Sequence, residues 1–218
     1  INTTQVWKLK DSQDRNITGK DIKIAIIDTG IDYTHPDLGN CTTEEFLAGN
    51  CDKVIYGYDF VNDDPDPMDD NGHGTHCAGI AAGTGYASNG KFKGVAPDAK
   101  LLAYKALNSE GGGYYSDIIA AIENATNFGA DIISLSLGGA GNPDDVLSQA
   151  VDNAVDSGVV VVVAAGNSGP ELKTISSPGC ARKAITVGAT DKNDMVINFS
   201  SRGPVTWGTE SLLKPDVV

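Results

Sequence analysis

No apolar run in these 218 residues approaches the roughly 20 needed to cross a bilayer as a helix, so no membrane span is expected. Basic residues are few: 16 Lys and Arg stand against 29 Asp and Glu, leaving a formal charge of −13 and a pI near 4.4. That balance excludes nucleic acid as the expected partner, because phosphate backbones call for a positive patch. Histidine is scarce too. Zinc normally takes three or four His, Cys or carboxylate ligands, and beside His73 and His76 only His35 remains, in a Pro-containing turn, so metal catalysis fits poorly. The chain lacks a basic leader, a cleavage-type segment and an initiating Met, so a processed or excised piece is expected. Repeats, low-complexity tracts and linkers are absent, and one domain over 1–218 is the reading. Four cysteines are too few for a disulfide scaffold, and 40% apolar content supports a buried core without one.

What the chain does have is alternation. Apolar strand-like runs occur at 22–27, 100–107, 131–137, 159–164 and 184–188, with a weaker one at 53–60. Between them, residues 115–128 place Ile118, Ile119, Ile122 and Ala125 at helical spacing and stop at Gly129. Residues 143–156 do the same with Val146, Leu147, Ala150, Val151, Ala154 and Val155, and stop at Gly158. Pro143, Asp144 and Asp145 suit the first turn of that second helix. Strands alternating with helices predict an α/β fold, a three-layer sandwich whose mainly parallel central sheet is covered on both faces. Ligands of such sheets gather beyond the C-terminal strand ends, and Asp28, Ser136 and Asn167 lie at or just past three of them.

Two local contexts carry chemistry. Asp28 ends the apolar run 23–27 and enters the turn Thr29-Gly30; His73 sits in Asn71-Gly72-His73-Gly74-Thr75-His76-Cys77-Ala78-Gly79 and opens a helix of small residues. An acid that orients an imidazole, and an imidazole that takes a proton from a nucleophile, are two thirds of a charge-relay set. Alone, Asp28 reads equally as a turn or helix cap, and His73 as a core histidine; together they favour the relay. No serine in a Gly-Thr-Ser turn occurs in the sequence.

The run 59–70 holds six carboxylates and two prolines just before the His motif. Hard oxygen ligands at close spacing suit Ca²⁺, with a solvated acidic loop as the alternative. Cys41 and Cys51 bracket a short polar insertion, 42–50, and a bridge there would close a surface loop in an oxidising compartment; two free thiols are the alternative. Cys180 has no assignable partner, one beyond Val218 being an option. Sequons at Asn2, Asn16, Asn40, Asn124 and Asn198 permit glycosylation in an exported protein.

These motifs resemble those of the subtilisin-like serine proteases, whose chain order is Asp, His, Ser. Four further segments agree: Ser134-Leu135-Ser136-Leu137-Gly138-Gly139, Ala164-Ala165-Gly166-Asn167-Ser168-Gly169, Phe199-Ser200-Ser201-Arg202-Gly203-Pro204, and Lys214-Pro215-Asp216-Val217-Val218. The match is collinear from end to end, and the Cys41–Cys51 insertion looks closest to the pyrolysin-like extracellular members.

The resemblance implies a secreted serine endopeptidase domain, truncated at the C-terminus, whose Ser lies beyond residue 218. Asp28 becomes the orienting acid, His73 the general base and Asn167 the oxyanion donor. Gly111, Gly112 and Gly113, with Ser136, Leu137 and Gly138, form two edges between which an extended peptide adds as a strand. Residues 134–139 resemble the strand that walls the primary pocket, Ala164, Ala165 and Gly166 belong with the substrate-binding residues in the turn that carries Asn167, and Leu107 and Tyr115 line an apolar subsite, so broad, apolar-leaning cleavage is expected. A structural Ca²⁺, of the kind thermostable relatives carry, is assigned to Asp59, Asn62, Asp64, Asp66 and the Met68 carbonyl. Asp37 matches a ligand of the family's other common site, although the loop 83–92 departs from its pattern. Cys77 is expected to point into the core as an unbridged thiol. No organic cofactor is implied; the expected partners are protein or peptide substrates and the protein's own propeptide as inhibitor, acting on a monomer.

Three rivals remain. Asp28-Thr29-Gly30 and Asp156-Ser157-Gly158 both spell the short aspartic-protease motif. Cys77, one turn after His73, is a conceivable cysteine nucleophile. Lacking its serine, the chain also reads as an inactive fragment or a calcium-stabilised module that holds peptides without cutting them.

Overall fold

The structure, a computed structural model, describes residues 3–218, so the sequon at Asn2 lies outside the described residues. The chain divides into two compact units, the first reaching to Tyr114 and the second spanning Tyr115–Val218.

The first unit begins with a single helical turn, α1 (Thr3–Val6), and is built on three parallel strands, β1 (Lys23–Asp28), β2 (Val54–Asp59) and β3 (Lys100–Lys105). Their order is β2-β3-β1, and the register sets Asp28 and Asp59 on either side of Lys105. The apolar runs explain the placement. Ile24, Ala25, Ile26 and Ile27, and Leu101, Leu102, Ala103 and Tyr104, are all buried, as continuous apolar strands of a covered parallel sheet should be. Each fully buried Ile or Leu contributes about 1.5–3 kcal/mol.

Two helices connect these strands: α2 (Thr43–Leu47), closed by a capping box between Thr42 and Glu45, and α3 (His73–Ala82). Short 3₁₀ turns occupy Pro36–Leu38 and Tyr86–Ser88. Helix α3 turns Gly74, Ala78 and Ala82, one residue per turn, toward β1. That face has no room to spare: a Cβ on Gly74 would lie 2.1 Å from the Gly30 carbonyl oxygen. Cys41 and Cys51 are bridged, closing the 42–50 insertion.

In the second unit α4 (Tyr115–Asn127) packs on α5 (Val146–Asp156), and β4 (Ile132–Leu135), β5 (Val160–Ala164) and β6 (Ile185–Val187) pair in parallel in that order. A hairpin, β7 (Val205–Trp207) with β8 (Glu210–Leu212), is the antiparallel exception. Parallel strands alternating with helices confirm the α/β class.

Two local expectations are corrected. Pro143 and Asp144 precede α5 instead of opening it: the N-cap is Asp145, whose Oδ1 accepts from Ser148 N–H at 2.8 Å, while Asp144 pairs with Arg182 and Trp207. Cys77 does not enter the core. It lies one position before Ala78, off the buried stripe, and is half-buried.

Candidate active site

Asp28 is the last residue of β1 and is 1% exposed; His73 is the first residue of α3. Separated by 45 residues, they meet: Asp28 Oδ1 lies 2.7 Å from His73 Nδ1 and also accepts the Thr29 N–H at 2.8 Å. With Nδ1–H donating to the carboxylate, the imidazole keeps Nε2 as its basic nitrogen. The His73 side chain is 48% exposed, so that nitrogen is reachable. The other carboxylate oxygen, Asp28 Oδ2, is buried without a hydrogen-bond partner.

The start of α3 shows how the chain delivers His73 so accurately. A helix leaves its first amides without intrahelical acceptors, and Gly72, its N-cap, has no side chain to supply one. Three other side chains do so. Asn71 Oδ1 accepts the His73 N–H at 3.2 Å, Thr29 Oγ1 accepts Gly74 N–H at 2.9 Å, and Asp69 Oδ2 accepts Thr75 N–H at 2.9 Å. Thr29 Oγ1 in turn donates to Asp69 Oδ1 at 2.8 Å, so the residue after the acid is tied to the helix that begins with the base.

Asp69 accepts five hydrogen bonds in all: from Thr29 Oγ1, the amides of Asn71, Gly72 and Thr75, and the Thr75 hydroxyl. Burial works to raise its pKa, but these donors together hold it below the ordinary carboxylate value. Its negative charge also suits a helix N-terminus. Asp69 and Thr29 escaped the sequence reading. The signal available was an acid four residues before His73, at capping distance.

Asn167 is exposed and lies three residues past the end of β5, in a turn whose Gly166 has φ 108°. A Cβ at that glycine would sit 2.7 Å from Ser176 Oγ and 2.9 Å from Ser201 Oγ, so only glycine fits. Ala164 ends β5, and Ala165 is buried and donates its N–H to Val187 O at 2.8 Å. Ser136, Leu137 and Gly138 follow β4, ahead of Gly139, which exchanges both main-chain bonds with Ser177. Tyr115 is half-buried; its hydroxyl donates to Ala140 O at 2.7 Å, and burial pushes its pKa up.

In the first unit Leu107 is buried, while Gly111, Gly112 and Gly113 are exposed. The glycine loop is a defined turn: Asn108 Oδ1 accepts the amides of Glu110 and Gly112, each at 3.0 Å, and Asn108 N–H donates to Gly112 O at 2.7 Å. Asn108 is another residue that the sequence reading passed over.

Residues 19–218 match the family model described as the subtilase family. This chain is a subtilase. It is 43% identical to the serine protease AprX of Bacillus subtilis (strain 168), over 94% of the chain and 47% of that protein. Thermitase of Thermoactinomyces vulgaris is 42% identical over 94% of the chain and 65% of that protein. Among solved structures, sphericase superposes with a TM-score of 0.70 at 36% identity, covering 91% of this chain and 64% of that one. The subtilase chain thus spans about half the length of AprX and under two thirds of thermitase.

Two of the rival assignments lose their geometric basis in this subtilase. Cys77 Sγ lies 4.0 Å from His73 Nδ1, the nitrogen already engaged by Asp28, so the thiol does not face the base nitrogen a nucleophile needs. Asp156 ends α5 and its carboxylate pairs with Lys183, which makes Asp156-Ser157-Gly158 a helix terminus. Cys180 is buried beside Ser148, and that burial pushes its thiol pKa up.

Two places were assigned to cations. In the acidic loop the donors are all oxygens, as Ca²⁺ requires. Asp59 Oδ1 accepts the Val61 and Asn62 amides and Oδ2 the Asn62 side-chain amide, Asp64 Oδ1 accepts Asp66 N–H, and Asp66 Oδ1 accepts the Tyr33 hydroxyl. Carboxylates, an Asn side-chain oxygen and a carbonyl are hard oxygen ligands, so the donor chemistry fits Ca²⁺. Among the described residues, however, no three of these carboxylates lie within 4.8 Å of one another; Asp28, His73 and Cys77 are the one acid, His or Cys set that close. At Asp37, Oδ1 accepts the Ala87 N–H at 2.8 Å, which ties this carboxylate to the 83–92 loop.

Proposed function

We propose that this subtilase chain is the acid- and base-bearing part of a secreted serine endopeptidase with broad, apolar-leaning specificity. The 2.7 Å contact between Asp28 Oδ1 and His73 Nδ1 carries the reading. In the proposed reaction His73 Nε2 takes the proton of a serine hydroxyl as that oxygen attacks the scissile carbonyl. Asp28 stabilises the imidazolium that forms, and Asn167 donates to the oxyanion. The imidazolium then returns its proton to the leaving amine. Gly111–Gly113 and Ser136–Gly138 would each offer a main-chain edge to an extended peptide, and Leu107 and Tyr115 would each offer it apolar contact.

No Gly-Thr-Ser turn is present in these 218 residues; the proposal therefore places the nucleophile in chain outside them and expects the 218 residues alone to be inactive. The Cys41–Cys51 bridge supports an oxidising, extracellular setting, and one relative, Vpr of Bacillus subtilis (strain 168), is named a minor extracellular protease. A structural Ca²⁺ held by Asp59, Asn62, Asp64, Asp66 and the Met68 carbonyl would stiffen the loop ahead of His73 and raise thermal stability. The working form is a monomer inhibited by its propeptide.

Reaction with a fluorophosphonate probe tests the assignment. The 218-residue chain should remain unlabelled, whereas a longer chain that includes the downstream Gly-Thr-Ser segment should be labelled, and His73→Ala should abolish that labelling. Labelling of the 218-residue chain, or labelling that survives His73→Ala, would contradict it. A longer chain that binds peptide but never reacts would favour the non-cutting module.

A further inference from the structure

We infer that Lys105, which touches neither substrate nor a reacting atom, is the positioning residue that holds the Asp28 turn, the Leu107 edge and the loop before His73 in one frame. This rests on the reading of Asp28 and His73 as acid and base.

Lys105 ends β3 and its side chain is 2% exposed, an environment that an apolar residue would fill at lower desolvation cost. An ammonium offers three donors and no acceptor, and here all three are used. Nζ donates to the Thr29 carbonyl at 3.0 Å, to the Leu107 carbonyl at 3.4 Å, and to the Asp70 carboxylate. Each partner belongs to a different part of the machinery. Thr29 follows the acid, Leu107 lines the proposed apolar subsite, and Asp70 lies three residues before the base.

The path from Lys105 to the reacting nitrogen is short. Both main-chain polar groups of Thr29 are held: its N–H, in the peptide from Asp28, donates to Asp28 Oδ1, and its C=O, in the next peptide, accepts from Nζ. The same Asp28 Oδ1 receives His73 Nδ1–H. The same junction is laced in the other direction, because Asp28 O accepts the amides of Ala106 at 2.9 Å and Leu107 at 3.0 Å. Charged neighbours of Lys105 are its salt-bridge partner Asp70 and the register partners Asp28 and Asp59; His73 itself faces Asp28 and Cys77.

A second buried lysine provides the control. Lys53 Nζ donates to the Pro97 and Ala99 carbonyls at 2.8 and 2.6 Å, near the N-terminal ends of β2 and β3, away from the acid turn. The test compares Lys105→Met with Lys53→Met in the 218-residue chain, reading thermal melting and two His73 signals by NMR, the Nδ1 proton shift and its exchange with solvent. Lys105→Met should stay folded, but its Nδ1 proton should move upfield and exchange faster with solvent. Lys53→Met should leave both His73 signals in place. Unchanged His73 signals in folded Lys105→Met, or equal changes in the two variants, would overturn the inference. Should Lys105→Met fail to fold, Asp70→Asn, at a half-exposed partner, reads the same lysine: a smaller upfield move supports the proposal and no move overturns it. If wild-type His73 shows no Nδ1 proton bonded to Asp28, the acid–base reading itself fails, a separate result.

Discussion

A polar side chain acts in catalysis through where its donor or acceptor is aimed, and the residues of this subtilase differ in how firmly they are aimed. His73 is held through its own amide, through its ring nitrogen and through the helix it begins. Asn167 is exposed on a turn shaped by Gly166, Ser176 and Ser201. In a chain that includes the nucleophile, Asn167→Ala should lower kcat by about 10²–10³-fold with little change in KM, the size such a donor carries in a family member. An equal loss in kcat/KM through KM alone would assign Asn167 to ground-state binding. Motif wording singled out Asp28, His73 and Asn167, because each stands within two residues of a glycine in a distinctive motif. It did not reveal Lys105, since a lone Lys inside Leu-Leu-Ala-Tyr-Lys-Ala-Leu looks like the end of a strand until three carbonyl and carboxylate oxygens are seen to converge on it. Nor did it reveal the outward turn of Cys77, which depends on which residues of α3 face β1.

At the scale of elements, periodicity did well where side chains repeat and poorly where they do not. The apolar runs at 22–27, 100–107 and 159–164 became β1, β3 and β5 with shifts of one or two residues at their ends. The hairpin β7–β8 and the short helix α2 carry too few residues to show a period, though Thr42 and Glu45 spell the capping box that α2 uses. The start of α3 rests on Asp69, and this has a pH consequence. The folded-state pKa of Asp69 is depressed, so its contribution is complete above the unfolded value of about 3.9 and is lost as pH falls through the lower folded value. Asp69→Asn keeps the shape but weakens charge-assisted hydrogen bonds, and should cost on the order of 2–3 kcal/mol at neutral pH. The wild type should lose stability more steeply than the variant below pH 4. Parallel acid-unfolding curves for the two would refute that role.

Across the whole molecule, whose formal charge is −13, a covalent staple joins Cys41 to Cys51, and the proposed cation would offset part of the charge of the acidic loop. A bound ion at 100 times its dissociation constant adds about 2.7 kcal/mol, so chelation should lower the melting temperature by roughly 5–10 °C in a chain of this size. Asp66→Asn should reduce that response. No response to chelation would remove calcium from the account. Everything else depends on β1 and α3 bringing together two residues far apart in the chain. The most direct test is the tautomer of His73, read from the ¹⁵N shifts of its two ring nitrogens near pH 8 in the wild type and in Asp28→Asn. The account predicts a protonated Nδ1 and an unprotonated Nε2 in the wild type, with the preference lost or reversed in Asp28→Asn; a wild-type proton on Nε2, or a tautomer indifferent to Asp28, would contradict it.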